Sequence, residues 1–291
     1  MSIKQYKQTH FSSLKGKTIA ITGSTGGLGN AVCKHISALG ASLILLDRNT
    51  ARSEAFAEEL RSTYGITVDT FTVDHESMAS VKAATEYLKQ KEPDILICNA
   101  GAYSIPRHKC DSGYDNVFQI NFISPYYMIR QLLPTLRKKS GRAVIVGSIA
   151  HNYSKTDPHD IDFSSRKKAS LVYGNSKRYL MYSLLTLFKN ETEATLSVTH
   201  PGITFTNITA HYPKLIFAII KHPMKIIFMK TDKASLSIVK GLFENTENYS
   251  WYGPRIFDVW GYPSKKKLRT ASDIEIQKIS QYANNIYDKL K

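Results

Sequence analysis

The sequence predicts an α/β fold: a doubly wound parallel sheet with helices on both faces, organised as a single domain over residues 1–291, with a C-terminal helical substrate lid at about 205–245. Three observations carry this expectation. Short apolar runs alternate with segments of helical spacing from Thr18 to Thr199. The first run leads into a glycine-rich turn, Gly23-Ser24-Thr25-Gly26-Gly27-Leu28-Gly29. Asp47, Asp74, Asn99, Ser148 and Pro201-Gly202 fall at the carboxyl ends of successive strands, where such sheets bind ligands.

Taken in order, Thr18 to Thr22 reads as a buried strand, and Asn30 to Leu39 as a helix with Ala31, Val32, His35, Ile36 and Leu39 on one side. Ser42 to Asp47 is a second strand, followed by a helix from Ala51 to Thr63 capped by Asn49 or Thr50. Ile66 to Val73 is the third strand, and Ser77 to Lys89 is helical along Val81, Ala84 and Leu88. Asp94 to Cys98 and Ala143 to Gly147 are the fourth and fifth strands, separated by one or two helices within Tyr114 to Leu136. A helix over Leu171 to Phe188 precedes the sixth strand, Thr195 to Thr199. Beyond Thr206 the regular pattern breaks, and His211 to Lys230 alternates apolar clusters with lysines. A helix over Thr231 to Phe243, a last strand with a turn over Trp251 to Tyr262, and an amphipathic helix from Ser272 to Leu290 complete the chain.

Composition bounds the function. The chain is 42% apolar and 22% charged, which is ordinary for a globular protein. It has no apolar run long enough to span a membrane and no apolar signal core near its start, so a cytoplasmic protein is expected. Cys33, Cys98 and Cys110 are unpaired by spacing, and the nine histidines show no metal-ligating pattern, so no metal is assigned. The net charge of +15 gathers in short runs, Arg137-Lys138-Lys139, Arg166-Lys167-Lys168 and Lys265-Lys266-Lys267-Leu268-Arg269. These lack interleaved aromatics and read as solvated surface, so no nucleic-acid partner is expected.

A strand, a tight glycine turn and a helix together present free backbone N–H groups and a helix N-terminus to a pyrophosphate. In this arrangement Gly23 permits the sharp turn, Gly27 the close approach of the ligand, and Gly29 the packing of helix on strand. Asp47 closes strand two, where a carboxylate accepts both ribose hydroxyls of NAD and repels a 2′-phosphate. Arg48 follows at once and can instead pair with that phosphate. Both NAD and NADP are therefore candidates, with the carboxylate favouring NAD. Asp74 suits an adenine amino group or a helix cap, and Asn99-Ala100-Gly101 forms a small-residue floor beside the adenosine ribose.

Tyr173 and Lys177 lie four apart on one helix face. A phenol, with a pKa of about 10, is a poor base at neutral pH, and a neighbouring ammonium is expected to lower that value. Ser148 can hydrogen-bond a carbonyl or alcohol oxygen, and Asn121 can orient Lys177 through a water. Together the four make a proton relay for alcohol–carbonyl interconversion, with nicotinamide handling the hydride.

Thr22 to Gly29, Asn99-Ala100-Gly101, Asn121, Ser148, Tyr173-x-x-x-Lys177 and Pro201-Gly202 with Thr206 resemble the short-chain dehydrogenase/reductase family over nearly the full chain. The resemblance implies a Rossmann-type fold and a catalytic tetrad of Asn121, Ser148, Tyr173 and Lys177. It places NAD or NADP contacts on Gly23, Ser24, Thr25, Gly27, Leu28, Asp47, Arg48, Asp74, Asn99, Ala100 and Gly101. Further contacts fall on Tyr173, Lys177, Pro201 and Gly202, with Ile203, Thr204 and Thr206 flanking the carboxamide. Tyr173 lies 25 residues after Ser148, a long insertion. This insertion and the Trp251-Tyr252-Gly253 pattern resemble the retinol dehydrogenase and WW-domain oxidoreductase branch, which acts on lipophilic alcohols and carbonyls. The sequence departs from that branch at Asp47.

Two other readings fit parts of the pattern. Gly23, Gly26 and Gly29 match the spacing of sugar-nucleotide epimerases and dehydratases, and a cofactor-bound regulator without turnover is a third class. The segment from His211 to Lys230 is expected to form the helical lid, with Phe217, Ile220 and Ile226 lining an apolar entrance. Its lysines also permit peripheral contact with anionic lipid or a homo-oligomeric interface.

Overall fold

The computed structural model describes residues 1–203, 229–246, 249–268 and 271–291. Among these, eight strands form one sheet in the order β3-β2-β1-β4-β5-β6-β7-β8. They are β1 (Thr18–Thr22), β2 (Ser42–Asp47), β3 (Val68–Thr72), β4 (Ile95–Cys98), β5 (Arg142–Val146), β6 (Thr195–Thr199), β7 (Ser250–Ile256) and β8 (Trp260–Lys267). Neighbours from β3 to β7 pair in parallel, and only β7 and β8 pair antiparallel. The strand order reverses between β1 and β4, which opens a crevice at their carboxyl ends.

β1, β2, β4, β5 and β6 are mostly buried and largely apolar because helices cover both faces. Alternate residues divide between two cores. Ala20, Ile44, Leu96 and Ile145 join one layer with α4 (Met78–Lys91), α6 (Ser124–Lys138), α7 (Ala169–Leu187) and α10 (Asp273–Leu290). Ile19, Ile21, Leu43, Leu45 and Val144 join the other with α2 (Gly27–Ser37), α3 (Thr50–Tyr64) and α9 (Leu236–Gly241).

Several elements differ from expectation. The dinucleotide-type helix α2 starts at Gly27, inside the glycine turn. The region from Tyr114 is broken into a short α5 (Asn116–Phe118), a π-helical turn over Gln119–Ile123, and α6. The segment expected as one helix over Thr231 to Phe243 is two, α8 (Thr231–Ala234) and α9, because the Ser235 hydroxyl donates back to the Asp232 carbonyl at the joint. The last strand is a full hairpin, since Phe257 (φ 51°) and Asp258 (φ 59°) both take left-handed backbone and reverse the chain. An additional helix, α1 (Ile3–His10), is held by a reciprocal Ser2–Gln5 capping box and by Tyr6 stacking on Tyr262 at 4.4 Å.

The basic runs contribute to surface ion pairs, as between Arg137 and Glu191 and between Lys138 and Glu92. No helix among the described residues is long and apolar enough to cross a membrane. The expected lid at 205–245 lies largely outside the described residues, and with it Phe217, Ile220 and Ile226.

Candidate active site

A crevice of about 710 Å³ runs along the carboxyl ends of the strands from Gly23 to Ile203. At one end the chain leaves β1 through Gly23, whose φ of 69° favours glycine. A Cβ at Gly29 would collide with the Gly23 carbonyl oxygen and lie 2.9 Å from Asn99 Nδ2, so only glycine lets α2 seat against the turn. A Cβ at Gly27 would meet nothing nearer than Thr231 Cγ2 at 3.7 Å. The Gly26 N-cap has no side-chain hydrogen bond, so the first N–H groups of the 11-residue α2 are available beside the crevice. This cradle fits a dinucleotide pyrophosphate. Asn99 Nδ2 donates to the Thr22 and Gly23 carbonyls at 3.0 Å each, tying the end of β4 to the same turn.

Asp47 lines the crevice and is also tied into the glycine turn. The residue is 4% exposed, and its carboxylate accepts four hydrogen bonds from the protein. Ser24 Oγ and Ser53 Oγ donate to one oxygen; Thr25 N and Thr25 Oγ1, each at 3.1 Å, donate to the other. Asp47 therefore clamps the glycine turn. Ser24 is fully buried in this clamp and does not line the crevice. Arg48 and Arg52 do line it, and Arg52 donates to the Thr25 carbonyl at 3.2 Å. Asp74 also lines it, while one of its carboxylate oxygens accepts the Glu76 N–H at 3.0 Å.

At the other end Ser148, Tyr173 and Lys177 meet in the crevice wall. Ser148 leaves β5 into a 3-10 turn over Ile149–Asn152, and its hydroxyl accepts the Ala150 N–H at 3.2 Å. Burial pushes the Tyr173 phenol up to about 12, against the opposing pull of the nearby Ser148 hydroxyl. Lys177 is 2% exposed, donates to the Val146 carbonyl at 2.8 Å, and is lowered by burial to about 8. Its ammonium lies 5.7 Å from the Tyr173 ring centroid. The expectation that this ammonium makes the phenol acidic is not met: burial raises the phenol, and Lys177 is not among the groups that act against that shift.

Asn121 lies behind the wall, in the π-helical turn. Its amide donates to Ala102 O at 2.8 Å and Val117 O at 2.9 Å and accepts from Ala102 N at 3.1 Å. The side chain is engaged with backbone, so it fixes the loop after Gly101. A Cβ at Gly101 would fall 2.8 Å from Asn121 Oδ1 and 3.6 Å from Lys177 Nζ. Gly101→Ala is therefore expected to lower turnover by roughly 10- to 100-fold by displacing the Asn121 side chain and the loop it holds, measured as kcat with saturating nucleotide.

Pro201, Gly202 and Ile203 line the crevice after β6, whereas Thr204 and Thr206 lie outside the described residues. Ala100, Gly101, Thr25 and Leu28 also line the crevice. Sequence reasoning missed Arg52, Tyr103, Ile105, Ile120 and Tyr153 in its lining. Arg52 had a legible signal, a cation in the first turn of the helix that follows β2.

A family model for the short chain dehydrogenases matches residues 17–213. The chain belongs to the short-chain dehydrogenase family. Among curated members, mouse retinol dehydrogenase 14 is 32% identical over 215 residues, which cover 68% of this chain and 64% of the relative. Human WW domain-containing oxidoreductase is 30% identical over 210 residues, covering 66% of this chain and 50% of that protein. The chain thus spans less than two thirds of these relatives. Among solved structures, a protein from Mycobacterium paratuberculosis superimposes with a TM-score of 0.72 at 22% identity, over 96% of this chain and 94% of that one. A short-chain dehydrogenase from Sphingobium yanoikuyae in complex with NADPH gives 0.60 at 20% identity, over 77% and 83%. These structural likenesses establish the short-chain dehydrogenase fold.

Proposed function

We propose that the protein is an NADP(H)-dependent oxidoreductase that reduces the carbonyl of a lipophilic small molecule to an alcohol, with Tyr173 as proton donor. The observation that carries this reading is the placing of Ser148, Tyr173 and Lys177 in one crevice with the glycine cradle. The nicotinamide, when bound, supplies the hydride. The Ser148 hydroxyl and the Tyr173 phenol hold the carbonyl oxygen, and the phenol passes its proton to that oxygen as negative charge develops. Burial keeps the phenol protonated, which is the form that reduction needs. Lys177 would hold the nicotinamide ribose of a bound cofactor and supplies positive charge beside the phenol. Tyr103, Ile105, Ile120, Ile149 and Tyr153 make the neighbouring lining largely apolar, in keeping with a lipophilic substrate and with the names of the curated relatives.

The preference for NADP(H) rests on the side chains after β2. Asp47 has spent its acceptors on the glycine turn, whereas two guanidiniums stand at the same edge of the crevice. NADPH is expected to bind at least about tenfold more tightly than NADH, and Arg48→Ala to lose roughly tenfold or more in NADPH affinity with NADH unchanged. Fluorescence titration measures both, and tighter NADH binding would reverse the assignment.

The activity itself is tested by anaerobic nucleotide titration followed by turnover on a carbonyl panel. Reduction of apolar ketones or aldehydes is expected. Binding without turnover would favour a regulator, and activity confined to a nucleotide sugar would favour an epimerase.

A further inference from the structure

The side chain that follows the catalytic lysine is buried and charged. Arg178 is 2% exposed. Its guanidinium forms a two-pronged pair with Glu275, Nε to Oε1 at 2.8 Å and an Nη2 to Oε2 contact at 2.7 Å. Its remaining prong, Nη1, donates to the His151 carbonyl at 2.9 Å. Glu275 stands in the first turn of α10, three residues after the Ser272 N-cap. That is the position from which a glutamate usually reaches back to the cap. Here the carboxylate reaches across the molecule instead.

Glu275 Oε1 also accepts from the Thr156 N–H at 3.0 Å and from the Thr156 hydroxyl at 3.2 Å. Both ends of this network touch the insertion between Ser148 and Tyr173. His151 closes the 3-10 turn that begins at Ser148, its ring Nδ1 and backbone N–H both bonding the Ser148 carbonyl. Thr156 lies three residues beyond Tyr153, which lines the crevice. A Cβ on Gly174, next to Tyr173, would collide with the Ala150 carbonyl oxygen, so α7 and the turn are in close contact. The insertion is fastened elsewhere as well. Asn175 Nδ2 donates to Ile161 O at 2.8 Å, and Arg107 donates to Phe163 O at 2.9 Å and pairs with the buried Asp115. Glu275 is the grip on this segment that comes from the C-terminal helix.

We propose that Glu275 is a positioning residue for catalysis, holding the substrate-side insertion and the Ser148 turn in register with α7 through Arg178 and Thr156. The proposal rests on the reductase reading above. A buried two-pronged pair of this kind loses more than its own attraction when one partner is removed, because the other charge is left uncompensated. The effect should fall on the carbonyl side of the crevice and spare the nucleotide side, which β1 to β4 build.

The test is Glu275→Gln, which keeps size and removes the charge, alongside Arg178→Leu and the double variant. In Glu275→Gln, kcat/KM for the carbonyl is expected to fall 10- to 100-fold with NADPH affinity within twofold of the parent. Arg178→Leu should behave alike, and the double variant should be no worse than the poorer single one, the mark of two groups acting as a unit. Amide hydrogen exchange over residues 152–163 should accelerate at least about tenfold in Glu275→Gln, while exchange in β1 and β4 stays unchanged. Exchange is read on the protein without substrate, so it stands even if the parent shows no reductase activity. Unchanged exchange would overturn the proposal. So would faster exchange with carbonyl kcat and KM at parental values, which would make the pair a stability feature only.

Discussion

Tyr173→Phe is expected to slow carbonyl reduction by about 10³- to 10⁴-fold, near the upper limit for loss of a positioned proton donor. The replacement should fold as the parent does. The Tyr173 ring meets Tyr103 edge-on at 5.3 Å, a contact phenylalanine retains. Only the hydroxyl is lost, together with its interaction with the nearby Ser148 hydroxyl. NADPH affinity should stay within a factor of about two, so the defect belongs to the chemical step. Single-turnover reduction, followed as loss of NADPH absorbance, measures it; a rate near the parent's would remove the proton-relay mechanism. The raised phenol adds a pH signature. With its proton held up to about 12, Tyr173 contributes no falling limb to the reductive rate at ordinary pH, whereas alcohol oxidation, which needs the phenolate, should climb as pH rises.

Lys177→Met is expected to cost roughly 10²- to 10³-fold in kcat and at the same time to stabilise the fold. The sign follows from the lysine's position. Its pKa is about 8 in the folded protein against 10.5 for the free side chain, so the unfolded chain binds the proton more tightly. The cost of burying the ammonium is fully present below about pH 8, on the order of 3 kcal/mol. It diminishes as pH rises toward 10.5. Methionine removes that cost but leaves the Val146 carbonyl without its donor, so a net gain of about 1–2 kcal/mol is expected at neutral pH. Urea unfolding at pH 7 and pH 10 reads the difference, and the variant's advantage should shrink at the higher pH. A loss of stability at pH 7 would show that the lysine is a structural strut. In the parent, kcat/KM for NADPH should decline above about pH 8 as Lys177 loses its charge, a limb that Lys177→Met should lack.

Much of this architecture can be read along the chain because it is local. The limits of β2 and β6 follow from apolar runs ended by polar residues, and the Asn49, Ser77 and Ser272 caps follow from side chains that bond three residues ahead. The crevice is legible for the same reason, since strand ends are local features and the parallel topology brings them together. What the sequence does not disclose is which way a polar side chain turns once it arrives. Asp47 stands where a ribose-binding carboxylate would, yet Ser24, Thr25 and Ser53 converge on it only after the turn and α3 are in place. The direction of the Tyr173 shift depends on how deeply the finished crevice buries two groups, which spacing does not encode. Glu275 and Arg178 are 97 residues apart, and neither has a neighbour in sequence that points to the other. The helix α1 is an intermediate case: Ser2 and Gln5 carry a local signal, but its anchoring stack on Tyr262 is long-range.

The pairing of Arg178 with Glu275 joins residues 97 apart in sequence. Closing so long a loop costs chain entropy that is recovered only when α10 is packed against α7. Any local opening that frees α10 is therefore expected to loosen the Ser148 side of the crevice first, while the β1 to β4 turns at the opposite end keep their own hydrogen bonds.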